Sequence, residues 1–249
     1  MKRSRVVLLA AWLVLVSAAL TLTAAPANPA KTRVLIVTGG HEFEHAPFFA
    51  VFDANTNITW KTVAHPNAHA LLEKEAARAW DVLLVYDLHE EITAEAKANF
   101  LARLKDGKGL VVLHHAIASY QAWPEYEKII GAKYYLQKTS VGGVEKPQST
   151  YLHGVAFHVR PLQPDHPILK GISDYDLVDE TYDLFDVSPS VTPLLASSAP
   201  IRNQIIGWCK TYEASRVVYL QSGHDHTAFE NPNFRRILAQ AIAWVAEPH

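Results

Sequence analysis

The chain has 249 residues, of which 49% are hydrophobic and 19% charged, and its formal net charge is −2. This is a globular composition, not a disordered one, and the absence of a basic run or face argues against nucleic acid and against an anionic membrane surface. Its single cysteine, Cys209, excludes an internal disulfide, so the fold must rest on its core.

The N-terminus predicts an export signal. Lys2, Arg3 and Arg5 form a basic start, Val6–Thr23 is uncharged and apolar, and Ala25-Pro26-Ala27 offers a cleavage site before Asn28. Residues 1–27 therefore read as a signal peptide and 28–249 as a single domain. The apolar stretch just reaches spanning length, so an uncleaved anchor is the alternative. The expected location is periplasmic or secreted, with no stable membrane association after cleavage.

From 33 to about 131 strands alternate with helices. RVLIVT (33–38) is a continuous apolar run ending in Gly39-Gly40, and Ala46–Ala54 reads as a short helix with Pro47 in its first turn. ITWKTVA (58–64) is the second strand, Leu71–Ala79 a helix and WDVLLVYD (80–87) the third strand. Thr93 caps a helix through Arg103, with Glu95 in its first turn and Asp106-Gly107 as its stop. KGLVVLHH (108–115) is the fourth strand, and a further helix starts at Pro124. Apolar strands alternating with amphipathic helices imply an α/β, flavodoxin-like doubly wound, mostly parallel sheet with helices on both faces. Residues 132–200 are β-rich and broken by Pro and Gly, and read as an insertion over the C-terminal rim of the strands. IIGWCKTY (205–212) and SRVVYLQS (215–222) form a strand pair. Asn231-Pro232 opens the last helix, whose apolar face follows helical spacing.

Four of these strands run into His-bearing turns: GGHEFEH (39–45), LHE (88–90), His114-His115 and GHDH (223–226). Ligands of open parallel sheets bind outside the carboxyl ends of the strands, so the four turns are expected to share one rim. HEFEH matches a zinc-protease pattern, but that mechanism needs the motif on a helix. Here it follows a strand and Gly-Gly, and Pro47 follows closely, so it reads as a loop with His41 turned to the crevice. His114-His115 occupies the sharp strand-to-helix turn that carries Ser or Cys in related architectures, and neither is present. Ser119 is the only nearby hydroxyl, and Cys209 reads as a small core residue in a strand. A histidine at such a turn suits acid–base work near neutral pH. Glu180 and Tyr182 lie in Asp179-Glu180-Thr181-Tyr182, which either faces the rim or is a solvated edge. In GHDH, His224 and Asp225 present an imidazole and an orienting carboxylate. His153, His158, His166 and His249 read as incidental.

In order, RVLIVTGGHEFEH, GLVVLHHAIASYQAWPEYEKIIG, HPILKGI, DETYDL and RVVYLQSGHDHTAFENPNFRRILAQAIAWV resemble the ThuA-like (trehalose utilization) proteins over most of 33–246. The resemblance implies a class I glutamine amidotransferase-like fold lacking the Cys nucleophile, and a role in using disaccharides and their oxidised keto forms. His41, His114, Glu180, Tyr182, His224 and Asp225 match the family's polar motif positions. His115 departs from the usual Ser, and Glu213-Ala214-Ser215 from the usual glycine-rich turn.

The expectation is an exported enzyme acting on a saccharide or 3-keto glycoside, with His114 as principal base. Glu180 and Asp225 orient it or bind hydroxyls, and His224 serves as partner acid or metal ligand. His41, His115, Tyr182 and Trp123 are the candidate substrate contacts. One alternative is a zinc-dependent hydrolase or isomerase, since imidazole is the commonest zinc ligand. Another is a non-catalytic sugar-binding protein whose aromatics (Tyr120, Trp123, Tyr134, Tyr135, Tyr182) stack on sugars. No nucleotide cofactor is expected, and a homo-oligomer is compatible with the sequence.

Overall fold

The computed structural model describes residues 30–247; the predicted export segment lies outside the described residues. The first half contains β1 (Thr32–Gly39), α1 (His45–Asp53), β2 (Ile58–Ala64), β3 (Val82–Asp87), α2 (Ala94–Lys105), β4 (Gly109–Leu113) and α3 (Pro124–Ile130). Six strands follow: β5 (Ala132–Lys133), β6 (Thr139–Val141), β7 (Val144–Lys146), β8 (Thr150–Pro161), β9 (Tyr175–Asp183) and β10 (Asp186–Val187). β11 (Thr192–Ser197), β12 (Ile205–Tyr212), β13 (Ser215–Leu220), α4 (His226–Phe229) and α5 (Pro232–Ala246) complete the chain. Among the described residues no helix is long and apolar enough to cross a membrane.

One nine-stranded sheet organises the domain, in the order β2-β1-β3-β4-β13-β12-β11-β8-β9. The first five strands are parallel. Their side chains alternate between two cores, as the pleat requires. Val34, Ile36, Val82, Leu84, Val111 and Leu113 pack with Phe48 and Phe52 of α1 and Ile237 and Leu238 of α5. Leu35, Val37, Leu83, Val85, Leu110 and Val112 pack with Phe100 of α2 and Ile129 of α3. Both faces are thus covered, which is why these strands are apolar throughout. Caps begin the helices where expected: Thr93 Oγ1 accepts from the Ala96 N–H at 3.1 Å, and Asn231 Oδ1 from the Asn233 N–H at 2.9 Å.

Two expectations are corrected. Residues 71–79 form no α-helix; two short 3-10 turns, Asn67–Leu72 and Ala76–Ala79, take their place. Glu73 between them is extended (φ −59°, ψ 148°), and neither piece is long enough to repay α-helix nucleation. The β-rich stretch 132–200 also does more than lie over the rim. β8, β9 and β11 join the central sheet as an antiparallel extension. β11 pairs only with the final residues of β8, so the other ends of β8 and β9 run on as a two-stranded arm.

At the carboxyl ends of the strands the backbone turns sharply. Gly40 (φ +81°) lies so close to the chain after β3 that a Cβ there would stand 1.9 Å from the Leu88 carbonyl oxygen. His114 has a φ of 55°, a left-handed conformation that costs energy in a residue with a Cβ and is concentrated at functional sites.

Candidate active site

Around a cavity of about 250 Å³ the β8–β9 arm meets His41 of the turn after β1, Leu88 of the turn after β3 and His115 of the turn after β4, with His224 of the GHDH turn beside Glu180. His41 from the loop after β1 stands with its ring centroid 4.6 Å from His115 and 6.5 Å from His224. The His114 and His224 centroids are 5.3 Å apart. Glu180, Tyr182 and His153 enter from the arm. The register shift between Leu152 and Val155 marks a bulge at His153-Gly154, and bulges re-aim side chains. His153 thereby places Nδ1 2.7 Å from a Glu180 carboxylate oxygen.

Glu180 is the hub. Besides His153, its carboxylate lies 3.5 Å from His114 Nε2 and 3.6 Å from His224 Nδ1. Glu180, His41, His115, His153 and Tyr182 line the cavity, together with the apolar wall Ile117, Tyr134, Leu136 and Tyr151. Neither ring nitrogen of His115 has a protein partner, and burial holds its pKa well below the usual histidine value.

His114 is expected to be the principal base, but the structure sets it one layer behind. It is 1% exposed, and Glu180 and Tyr182 stand between it and the cavity. Its Nδ1–H donates to the Gln221 carbonyl at 2.6 Å, which leaves a lone pair on Nε2 when the ring is neutral. Burial, aided by the charges of neighbouring imidazoles, pushes its pKa down to about 3, so the ring is neutral at ordinary pH. Tyr182 donates its hydroxyl to that nitrogen at 3.0 Å, and His224 Nδ1 lies 3.2 Å from it. Three donor atoms, one each from His114, Glu180 and His224, lie within 4.8 Å of one another, an arrangement able to hold a metal ion.

Two proposed site residues fall elsewhere. Asp225 does not orient an imidazole; its Oδ1 caps α4, accepting from the Thr227 N–H at 2.8 Å and its hydroxyl at 2.5 Å. Trp123 is buried against Phe100 and Tyr126 in the core and does not reach the cavity, because helix α3 starts directly after it. Asp179 acts on the backbone of this turn instead. It accepts from the N–H groups of Gly223 at 2.8 Å, His224 at 3.1 Å and Glu180 at 2.9 Å, and so pins the GHDH turn to β9. Burial pushes its pKa up to about 7 against the pull of those donors.

In the turn after β3 Leu88 lines the cavity, but His89 points away from it. The Gly40–Leu88 contact divides the rim, and His89 stacks on His65 at 4.0 Å on the far side. There His65 Nε2–H donates to the buried Asp87 at 2.8 Å. Ser119 donates to the same carboxylate at 3.0 Å, so the one hydroxyl near the sharp turn is committed to structure. Cys209 is buried in the core of the opposite sheet half, and burial pushes its thiol up to about 11. His153 and Asp179 escaped the sequence reading because a bulge and a strand register decide where they point. A larger cavity of about 560 Å³ beside β8 and β9 has only one imidazole, His158, paired at the surface with Asp176 and Asp174.

The sequence profile of the ThuA family, described as trehalose utilisation, matches residues 33–245. Among solved structures, a ThuA-like protein from Parabacteroides merdae is 15% identical over 87% of this chain and 90% of its own, with a TM-score of 0.73. A second ThuA-like protein, from Bacteroides uniformis, is 18% identical over 89% of this chain and 95% of its own, with a TM-score of 0.62. A GMP synthase component from Thermoplasma acidophilum is 14% identical over 87% of this chain and 94% of its own, with a TM-score of 0.54. At these identities the solved structures establish the fold alone, which is that of the glutamine amidotransferases. Comparison with curated protein sequences gives no match. The profile, spanning nearly all of the described domain, carries the assignment: the chain belongs to the ThuA family of trehalose utilisation and hence to carbohydrate metabolism.

Proposed function

We propose that the protein acts on a saccharide or its oxidised 3-keto form by proton transfer at this cavity, with Glu180 as the base. The observation that carries the reading is the surroundings of Glu180. Among the described residues lining the cavity it is the one carboxylate, and three imidazoles lie within 3.6 Å of it. A carboxylate so placed can take the proton from a carbon beside a sugar carbonyl, leaving the electron pair on the carbonyl oxygen. His153, against Glu180 and open to solvent, returns a proton. His41 offers a ring nitrogen to hydroxyls, His115 lines the cavity beside it, and Tyr134 and Tyr151 offer faces to the sugar ring. His114 and Tyr182 hold the arrangement from behind.

The test is proton NMR of native and 3-keto disaccharides in D₂O. The protein is expected to incorporate deuterium beside the keto group. Glu180→Gln should slow this about 10²–10⁴-fold, the range of general acid–base catalysis. Exchange that persists in the variant overturns Glu180 as base. Binding without exchange in either protein favours a sugar-binding role.

A second reading rests on the His114–Glu180–His224 triplet as a site for a divalent cation such as zinc. The Gln221 carbonyl on His114 Nδ1 is the outer partner that metal-bound imidazoles ordinarily have. A bound cation would polarise the carbonyl of the substrate. Metal analysis separates the readings, because His114→Ala lowers metal content only if His114 is a ligand. Export, proposed from the basic and apolar N-terminus, is tested by N-terminal sequencing of the extracytoplasmic protein.

A further inference from the structure

The H-E-F-E-H motif is only partly explained by His41. Glu44 occupies the N-cap position of α1, yet its side chain makes no capping bond to that helix. Instead its Oε2 accepts from the backbone N–H of His226 at 2.6 Å and from the ring Nδ1 of His226 at 3.0 Å. α4 has only four residues, and its first N–H groups need outside acceptors. Asp225 takes one of these groups, and Glu44, 182 residues away in sequence, takes another.

The contact joins two loops that bring imidazoles to the site: 40–44 carries His41, which lines the cavity, and 223–226 carries His224, which stands 6.5 Å from His41 and against Glu180. A buried link runs beneath it. Tyr86 donates its hydroxyl to the Gly223 carbonyl at 2.9 Å, and its ring meets Phe43 edge-on at 5.3 Å. The Glu44–His226 link is the exposed one, with side chains 47% and 54% open.

We infer that Glu44 is a positioning residue that sets the separation of His41 from His224 beside the pocket; its bearing on turnover rests on that pocket being the active site. Glu44 touches no substrate and acts through the loop it holds. Exposed ion pairs contribute little to global stability, so losing this one registers in the site and not in the unfolding curve. A displacement of catalytic groups by about 1 Å can cost up to about a hundredfold in rate.

The experiment uses the full chain labelled with ¹³C-histidine. In Glu44→Ala the ring resonances of both His41 and His224 should shift, while those of His158 stay in place and the urea midpoint is unchanged. Glu44→Gln keeps an oxygen acceptor for the His226 N–H and should restore most of the native positions. Deuterium exchange into keto-sugar should fall about tenfold in Glu44→Ala through kcat, with partial recovery in Glu44→Gln. Unmoved His41 and His224 resonances in Glu44→Ala overturn the inference, as does an equal disturbance in both variants. Shifted resonances in a protein whose wild type shows no exchange leave Glu44 as the loop tie and defeat the catalytic reading alone.

Discussion

Asp179→Asn probes a balance between two opposing effects on one carboxyl. Burial disfavours the ionised form, whereas three backbone N–H donors favour it. The balance comes out for burial, with the pKa raised from its ordinary 3.8 to about 7. The native protein therefore binds a proton over the interval in which the unfolded chain has released it. Stability from this group is fully present below pH 4 and is lost as pH rises to about 7. A shift of about three units at ~1.4 kcal/mol each is worth about 4 kcal/mol. Asparagine does not titrate. It also turns an amide N–H toward one of the backbone donors, which costs about 1–3 kcal/mol for an unsatisfied group. The stability gap between wild type and Asp179→Asn should thus shrink by up to about 4 kcal/mol between pH 4 and pH 7.5. Urea unfolding of both proteins at several pH values measures it. A gap that widens as pH rises would mean that the three donors win and Asp179 is ionised throughout, refuting the reasoning.

Gly40→Ala drives a Cβ to 1.9 Å from the Leu88 carbonyl oxygen at a φ of +81°. Overpacking and the left-handed backbone together should cost about 2–4 kcal/mol, seen as a lower Tm; an unchanged Tm would show that the two loops yield freely. Cys209→Ser should cost on the order of 1 kcal/mol, because His166 Nε2, 3.6 Å from the sulfur, can partner the new hydroxyl. Its deuterium exchange should equal that of wild type, and a folded but inactive Cys209→Ser would revive a thiol mechanism.

The parallel half of the sheet is legible in sequence because its strands are buried on both sides and read as unbroken apolar runs. The turns that follow them bear His41, His114, His115 and His224, and the strand-end rule brings these to one rim. What escaped depends on contacts between distant segments. In sequence either Asp179 or Asp225 could be the carboxylate that serves the rim. Only the pairing of β9 against the GHDH turn makes Asp179 the anchor and frees Asp225 to cap α4. His153 is indistinguishable from a surface residue until the β8 bulge turns it toward Glu180. His89 ends a strand like the others, but Leu88 and Gly40 in close contact place it on another side. His114 carries the right chemistry at the right turn, yet its depth behind Tyr182 is set by the arm, whose course no local pattern announces.

The β8–β9 arm divides the pocket by origin. The imidazoles at its floor hang from turns between core strands, where a shift would disturb both cores. Three residues of the apolar wall, Tyr134, Leu136 and Tyr151, come from one contiguous stretch, in which Tyr134 and Leu136 pack on one core and Tyr151 stands outside it. Tyr151 and Leu152 are more than half exposed. Substitutions at the exposed Tyr151 can reshape which sugar is admitted while leaving Glu180 and His153 in register, whereas insertions at 150–152 would break the β8–β9 pairing that sets both groups.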